Sequence, residues 1–284
     1  MNEKIRYLII YLCAILIIIY CGFPVYWMLI SSIQRREDII TLKPDISVII
    51  PKSFSIEHSY IRLFGTGPEE HAFFKYILNS VYVSSSVTII TLFISMFAGY
   101  SLAKFEYKGK RILSRLIIFA YLIPPAILLV PFFLMISWLN LMDNLLSLIM
   151  VYPTFSIPFS VWMLRSFFES IPSELEESAW IDGASKIRTF FSIVLPISKP
   201  IIGAIIAYSF ITSWTEYMFA FTLISTKDKA TVPVAIMHAI PGHYIEWGEL
   251  TAASFVSTIP VLILFMPLAK YLIHGIQIGA AIKK

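Results

Sequence analysis

The sequence predicts an all-α integral membrane protein with six transmembrane helices, and three observations predict it. Of 284 residues only 14% are charged and 58% are hydrophobic, against roughly 25% charged in a soluble domain. Mean hydropathy is +0.78. The charges are also spaced: residues 7–34, 76–103, 116–142, 144–164, 200–226 and 250–269 form runs of 20 to 28 residues whose single charge is Glu216. A bilayer core of about 30 Å needs about 20 helical residues at about 1.5 Å each. A strand barrel would show alternating segments about ten residues long instead.

Span one follows Lys4 and Arg6, as a signal peptide would. Its apolar run exceeds the usual 7–15 residues and no small-x-small cleavage site follows, so it is expected to be retained. The segment 31–75 after it carries six bases and six acids, and long loops translocate with little regard to charge. Span two ends at Lys104, and the short loop 104–115 then holds five bases. With a cytoplasmic N-terminus, 14 bases fall inside and 8 outside; short loops weigh most in the positive-inside rule, so both termini are expected to be cytoplasmic. Pro24, Pro124, Pro125, Pro131, Pro153, Pro158, Pro260 and Pro267 fall within predicted spans. Each removes a backbone donor that neighbours or cavity water must replace, which suits kinked helices around a pathway, although proline is common in membrane helices generally. The net charge of +4 is too small and too dispersed to suggest nucleic acid. Cys13 and Cys21, eight residues apart in one apolar run, are too far along a helix to bridge.

Between spans four and five, residues 172–200 differ from every other loop. Ser173-Glu174-Leu175-Glu176 reads as a capping box, opening a short helix that Gly183 is placed to end. A second helix carries Ile187, Phe190, Phe191 and Val194 at i, i+3, i+4, i+7. Pro196 is placed to stop it and Pro200 to open the next span. Two short amphipathic helices joined at a glycine suit a groove on a partner, or lie on the protein's own cytoplasmic face.

The residue identities are more specific. Glu176-Glu177-Ser178-Ala179, Asp182-Gly183-Ala184, Phe190, Leu195-Pro196 and Pro200 resemble the EAA loop of binding-protein-dependent ABC import permeases, with Ser178 in place of the first alanine of the triplet. Trp214-Thr215-Glu216-Tyr217 is similar to the Trp-Asn-Glu-Phe segment of maltose-type sugar permeases, with Thr215 for asparagine. Thr231-Val232-Pro233-Val234 and the six spans resemble the smaller of the two permease subunits in those systems. The resemblance implies a single transmembrane permease domain over 1–284, with 172–200 as the cytoplasmic loop that couples to ATP hydrolysis. It implies the type I importer fold, located in the cytoplasmic (inner) membrane. It implies a second homologous permease, two cytoplasmic ABC ATPase subunits that hold ATP and Mg, and an extracellular or periplasmic sugar-binding protein. This chain would bind no cofactor and catalyse no reaction; no Gly-x-x-x-x-Gly-Lys-Ser/Thr is present. The expected cargo is a di- or oligosaccharide.

Glu216 leaves several roles open: helix packing or permease contact, a sugar acceptor, or a proton relay. Trp214 and Tyr217 share its segment as pathway or permease-contact candidates. Thr212 and Ala220 would flank Glu216 on one helical face, and neither neutralises a carboxylate. Its partner is therefore expected on another helix, on the second permease or in cavity water. An ion- or proton-coupled carrier using Glu216 is the alternative function, but no internal repeat supports it, and it leaves the 172–200 loop without a purpose. An intramembrane enzyme would need a nucleophile with its base, or a metal cluster. His238 and His243, with Glu246 and Glu249 nearby, lack a helical ligand spacing and read as a loop facing the external binding protein. Ser84 to Ser86 read as helix-packing residues.

Overall fold

A computed structural model gives the fold, and it describes residues 3–34, 54, 56–65, 73–238 and 247–282. Among these residues every regular element is helical: α1 (Glu3–Ile33), α2 (Phe73–Lys104), α3 (Lys110–Tyr121), α4 (Leu129–Trp138), α5 (Leu145–Ser170), α6 (Ser173–Ile181), α7 (Lys186–Ile197), α8 (Lys199–Trp214), α9 (Met218–Leu223), α10 (Val232–His238) and α11 (Trp247–Ile282). Short helical turns occupy Glu57–Ile61, Arg62–Phe64, Pro125–Leu128 and Lys227–Lys229. Four helices among the described residues are long and apolar enough to cross a bilayer, or up to six if each of two bent pairs counts as one span: α3 with Pro125–Trp138, and α7 with α8, bent by 77°.

Two of the expected spans are not continuous. The run 116–142 divides into α3 and a second piece, Pro125–Trp138, bent by 92° from it. Pro124 and Pro125 lack the N–H groups that would continue α3, and Pro124 adopts an extended backbone. The run 200–226 breaks at Thr215-Glu216-Tyr217, between α8 and α9. By contrast Pro24, Pro158, Pro260 and Pro267 are carried inside helices.

The chain forms two compact groups of elements, Met1–Lys75 with Ala235–Ile259, and Tyr76–Val234 with Pro260–Lys284. In the first, α1 is exposed along its apolar length and its buried residues, Ser31 and Ser32, lie at its end. The Ser32 hydroxyl and the Tyr60 hydroxyl share a hydrogen bond of 2.8 Å, Leu63 is buried, and Phe64 meets Phe73 edge to face.

In the second group α2 crosses α5 closely. A Cβ on Gly99 would stand 2.9 Å from the Leu164 Cβ and 3.2 Å from the Arg165 nitrogen, so only glycine permits this approach. One crossing further along, the Thr91 and Ser156 hydroxyls are 2.8 Å apart. Ser84 is buried on the same helix. Small residues and hydroxyl pairs are what hold helices together in lipid, where the hydrophobic effect supplies little. Nearer the end of α2, Tyr100, Leu164, Phe168, Ile171, Phe190, Val194 and Ile205 form one buried cluster. It joins α2, α5, α7 and α8.

Candidate functional site

The 172–200 loop is rooted in that cluster. Pro172 precedes α6, and no side chain caps its first turn. The expected capping box is therefore not formed. Ser173 is the first helical residue, and Glu176, expected to reach back to it, turns inward and is buried. Its Oε2 lies 3.7 Å from the Lys104 Nζ at the end of α2, with Tyr100 beside it. The same ammonium donates to the Ile171 carbonyl at 2.8 Å. A buried ion pair overrides a surface cap because leaving Lys104 or Glu176 unpaired in this cluster costs more than a missing cap.

Ala179 is buried beside Glu176, whereas Glu177, Ser178, Asp182 and Gly183 are exposed and Ala184 is half-buried. Gly183 ends α6 with φ +85°. Its N–H donates to the Trp180 carbonyl and the Ala184 N–H to the Ala179 carbonyl, the paired bonds of a left-handed helix terminus. Ser185, which the sequence pattern did not single out, caps α7 by accepting from the Arg188 N–H at 3.3 Å. Lys186 sits over the Phe105 and Trp180 rings, bracing the two helices.

The apolar stripe of α7 splits in two. Phe190 and Val194 are buried, but Ile187 is 73% and Phe191 50% exposed. A π-helical turn over Phe190–Val194 shifts the phase between those pairs. Leu195 packs against the cluster as Phe190 does. Pro196 does not end α7, which continues to Ile197, and Pro200 opens α8 as expected. Leu175, Trp180, Ile181, Ile187 and Phe191 are all exposed: an apolar tip on a rigid base.

At the span-five break Trp214 is buried and stacks on Phe210, and Tyr217 stacks on Phe221. Glu216 accepts from the Phe219 N–H at 2.9 Å and the Ala220 N–H at 3.2 Å, so its carboxylate caps α9. The Tyr152 hydroxyl on α5 donates to its Oε2 at 2.6 Å. The helix is thus unwound where a continuous face had been expected, and Ala220 contributes a backbone donor rather than a neighbouring side chain. Beyond α9, Asp143 accepts from the Ser225 and Thr226 N–H groups, the Thr226 hydroxyl and Lys229. These bonds, the Thr226 hydroxyl foremost, hold its carboxyl well below the usual range. Both ends of α9 are therefore tied to α5 and the turn before it.

Residues 91–272 match the family model of the binding-protein-dependent transport system inner membrane component. The chain belongs to this family. The permease is 34% identical to the probable ABC transporter permease protein YurM of Bacillus subtilis, over 96% of its own length and 86% of that protein. It is 33% identical to the trehalose/maltose transport system permease protein MalG of Thermococcus litoralis, over 98% of each chain. Its fold matches a chain of a bacterial ABC transporter involved in the import of the acidic polysaccharide alginate, with TM-score 0.77, 20% identity, and 95% and 97% of the two chains covered.

The permease is thus a multi-pass transport subunit of a binding-protein-dependent system, and a carrier working alone is not favoured. Its structure adds Lys104, Tyr100, Tyr152 and Asp143 to the residues expected from sequence. Lys104 and Asp143 were visible only as charges bounding spans; nothing in the chain marked their partners. Among the described residues no three His, Cys, Asp or Glu side chains gather as metal ligands. His243 and Glu246 lie outside the described residues, and Glu249 is buried on α11.

Proposed function

We propose that this permease translocates a di- or oligosaccharide across the cytoplasmic membrane, driven by ATP hydrolysis on partner subunits. The observation that carries the reading is the 172–200 loop: an apolar tip of Leu175, Trp180, Ile181, Ile187 and Phe191, on a base locked by Lys104 and Glu176. Such a tip fits a groove on another protein in the helix-in-groove mode, and family membership gives that protein a class. Two ABC ATPase subunits, with ATP and Mg, would each take one coupling loop, one from this chain and one from a second, homologous permease. Closure of the ATPase pair would move α6 and α7 as a unit. Movement passes to α2, α5 and α8 through Phe190, Val194 and the buried cluster, and opens the pathway to a loaded binding protein.

Sugar as cargo is supported by the trehalose/maltose relative, which aligns over nearly the whole chain. Trp214, Glu216 and Tyr217 stand at the broken span. We assign Glu216 to holding that break, since three donors already occupy its carboxylate. The test is reconstitution of this chain with its companion permease, ATPase and binding protein in vesicles. Uptake of a labelled oligosaccharide should require internal ATP and external binding protein together. Uptake without either, by this chain alone, overturns the reading in favour of a carrier.

A further inference from the structure

Helices α3 and α5 pack along one another, and the seam between them changes character along its length. At one end an open cavity of about 630 Å³ is lined by Lys110, Arg111, Arg115 and Arg165 and by one acid, Glu106. A short way along lies a second crevice of about 180 Å³, lined by Ile118, Tyr121, Pro158, Phe159 and Trp162 with no polar surface. On α3 the order is Arg111, Ser114 and Arg115, then Ile118 and Tyr121, at helical spacing. On α5 it runs in reverse: Arg165, then Trp162, then Phe159 and Pro158. On either helix the apolar crevice begins about 5–10 Å from the cations, at about 1.5 Å per residue.

The cations are not consumed by acids. Glu106 takes Lys110 at 2.9 Å and Glu169 takes Arg165 at 2.8 Å. The Arg165 guanidinium also donates to the Ser114 hydroxyl, fixing it across the seam. Four cations thus face two carboxylates, an excess of two positive charges. Arg115 has no partner among the described residues. Alongside, Ile112, Leu116 and Phe119 expose their side chains, as they would against lipid tails.

We propose that this seam is a binding site for an anionic phospholipid. The phosphate occupies the cavity between Arg111, Arg115 and Arg165, and an acyl chain lies in the crevice against Phe159 and Trp162. Phosphate alone would be served by the cations; the adjoining dry crevice requires an amphiphile. Basic pockets between membrane helices take anionic headgroups on these terms. The inference rests on the chain spanning a membrane, and not on the sugar reading; uptake and lipid binding are read separately.

The test places the full chain in phosphatidylcholine vesicles containing a minor fraction of lipid brominated on its acyl chains. Bromine quenches tryptophan at contact, and the Trp162 signal is the difference from Trp162→Phe. Brominated phosphatidylglycerol should quench it with a preference over brominated phosphatidylcholine of roughly tenfold or more. Arg111→Gln with Arg115→Gln, both at exposed positions, should bring the preference toward unity, and the two Lys replacements should retain it. Equal quenching by both lipids, or a preference unchanged in the Gln variant, overturns the proposal. So does a Trp162 that neither lipid reaches, which would mean that protein covers the seam. Inorganic phosphate that abolishes the preference at matched ionic strength would assign the cavity to free phosphate instead.

Discussion

Glu216 is the one charge inside the expected spans, and its surroundings show how a membrane chain accommodates a carboxylate without a cation. Two backbone N–H groups and the Tyr152 hydroxyl supply its partners, at the expense of an unbroken helix. Tyr152→Phe removes a hydrogen bond to a charged group, worth about 1.5–3 kcal/mol, and should lower the unfolding temperature in detergent. Glu216→Gln keeps one acceptor for the cap and should retain much of the transport, whereas Glu216→Leu should lose assembly or activity. If Gln abolishes uptake while the complex assembles and hydrolyses ATP, the capping role is wrong and a charge-dependent one replaces it. Of the three places expected for the partner of Glu216, another helix, the second permease or cavity water, the structure shows the first, with Tyr152 on α5. Sequence reasoning missed the cap, because it assumed a continuous helix that the carboxylate itself interrupts. Asp143 is a second anchored acid, with a depressed pKa. Its contribution to stability is therefore full above the usual carboxylate range and is lost as pH falls toward the depressed value. The gap in unfolding temperature between the parent and Asp143→Asn should be constant above about pH 5 and narrow below about pH 4.

Helices α6 and α7 were legible as elements because glycine, proline and apolar spacing act locally. Their orientation was not, since it depends on Lys104, some seventy residues earlier in the chain, and on a π-helical turn that no local pattern announces. Lys104→Met leaves Glu176 buried beside no cation, a loss of about 3–5 kcal/mol. Adding Glu176→Gln should restore much of it, and a double-mutant cycle on thermal stability measures the coupling. A coupling near zero would mean that the pair does not secure the loop. Gly183 joins the two helices at φ +85° with nothing within 4 Å of an added Cβ, so a substitution there meets strain rather than a clash. Gly183→Val should cost at least about 1–2 kcal/mol locally, misalign α7, and uncouple ATP hydrolysis from uptake while the protein still inserts. Gly183→Asn tolerates the left-handed backbone and should retain more transport. Parent-like uptake by Gly183→Val would remove the turn from the coupling mechanism.

At the scale of the molecule, charge spacing predicted six apolar runs, since a bilayer demands apolar length wherever it is crossed. The described residues hold four single helices long enough to span, or up to six if each bent pair counts as one. What charge spacing does not register is continuity: the bend after Tyr121 and the break at Glu216 leave the apolar runs intact. Topology is the molecular-scale prediction. With Cys13 and Cys21 replaced by serine, a single cysteine at position 108 should resist membrane-impermeant reagents applied to intact cells, and one at position 228 should react. Labelling at 108 from outside would invert the protein. The bond between Tyr152 and Glu216 also fixes an order in time. Tyr152 precedes Glu216 by 64 residues, roughly 3–13 s of synthesis, so the phenol is made before the carboxylate. Translation thus delivers the donor ahead of the acceptor it will hold.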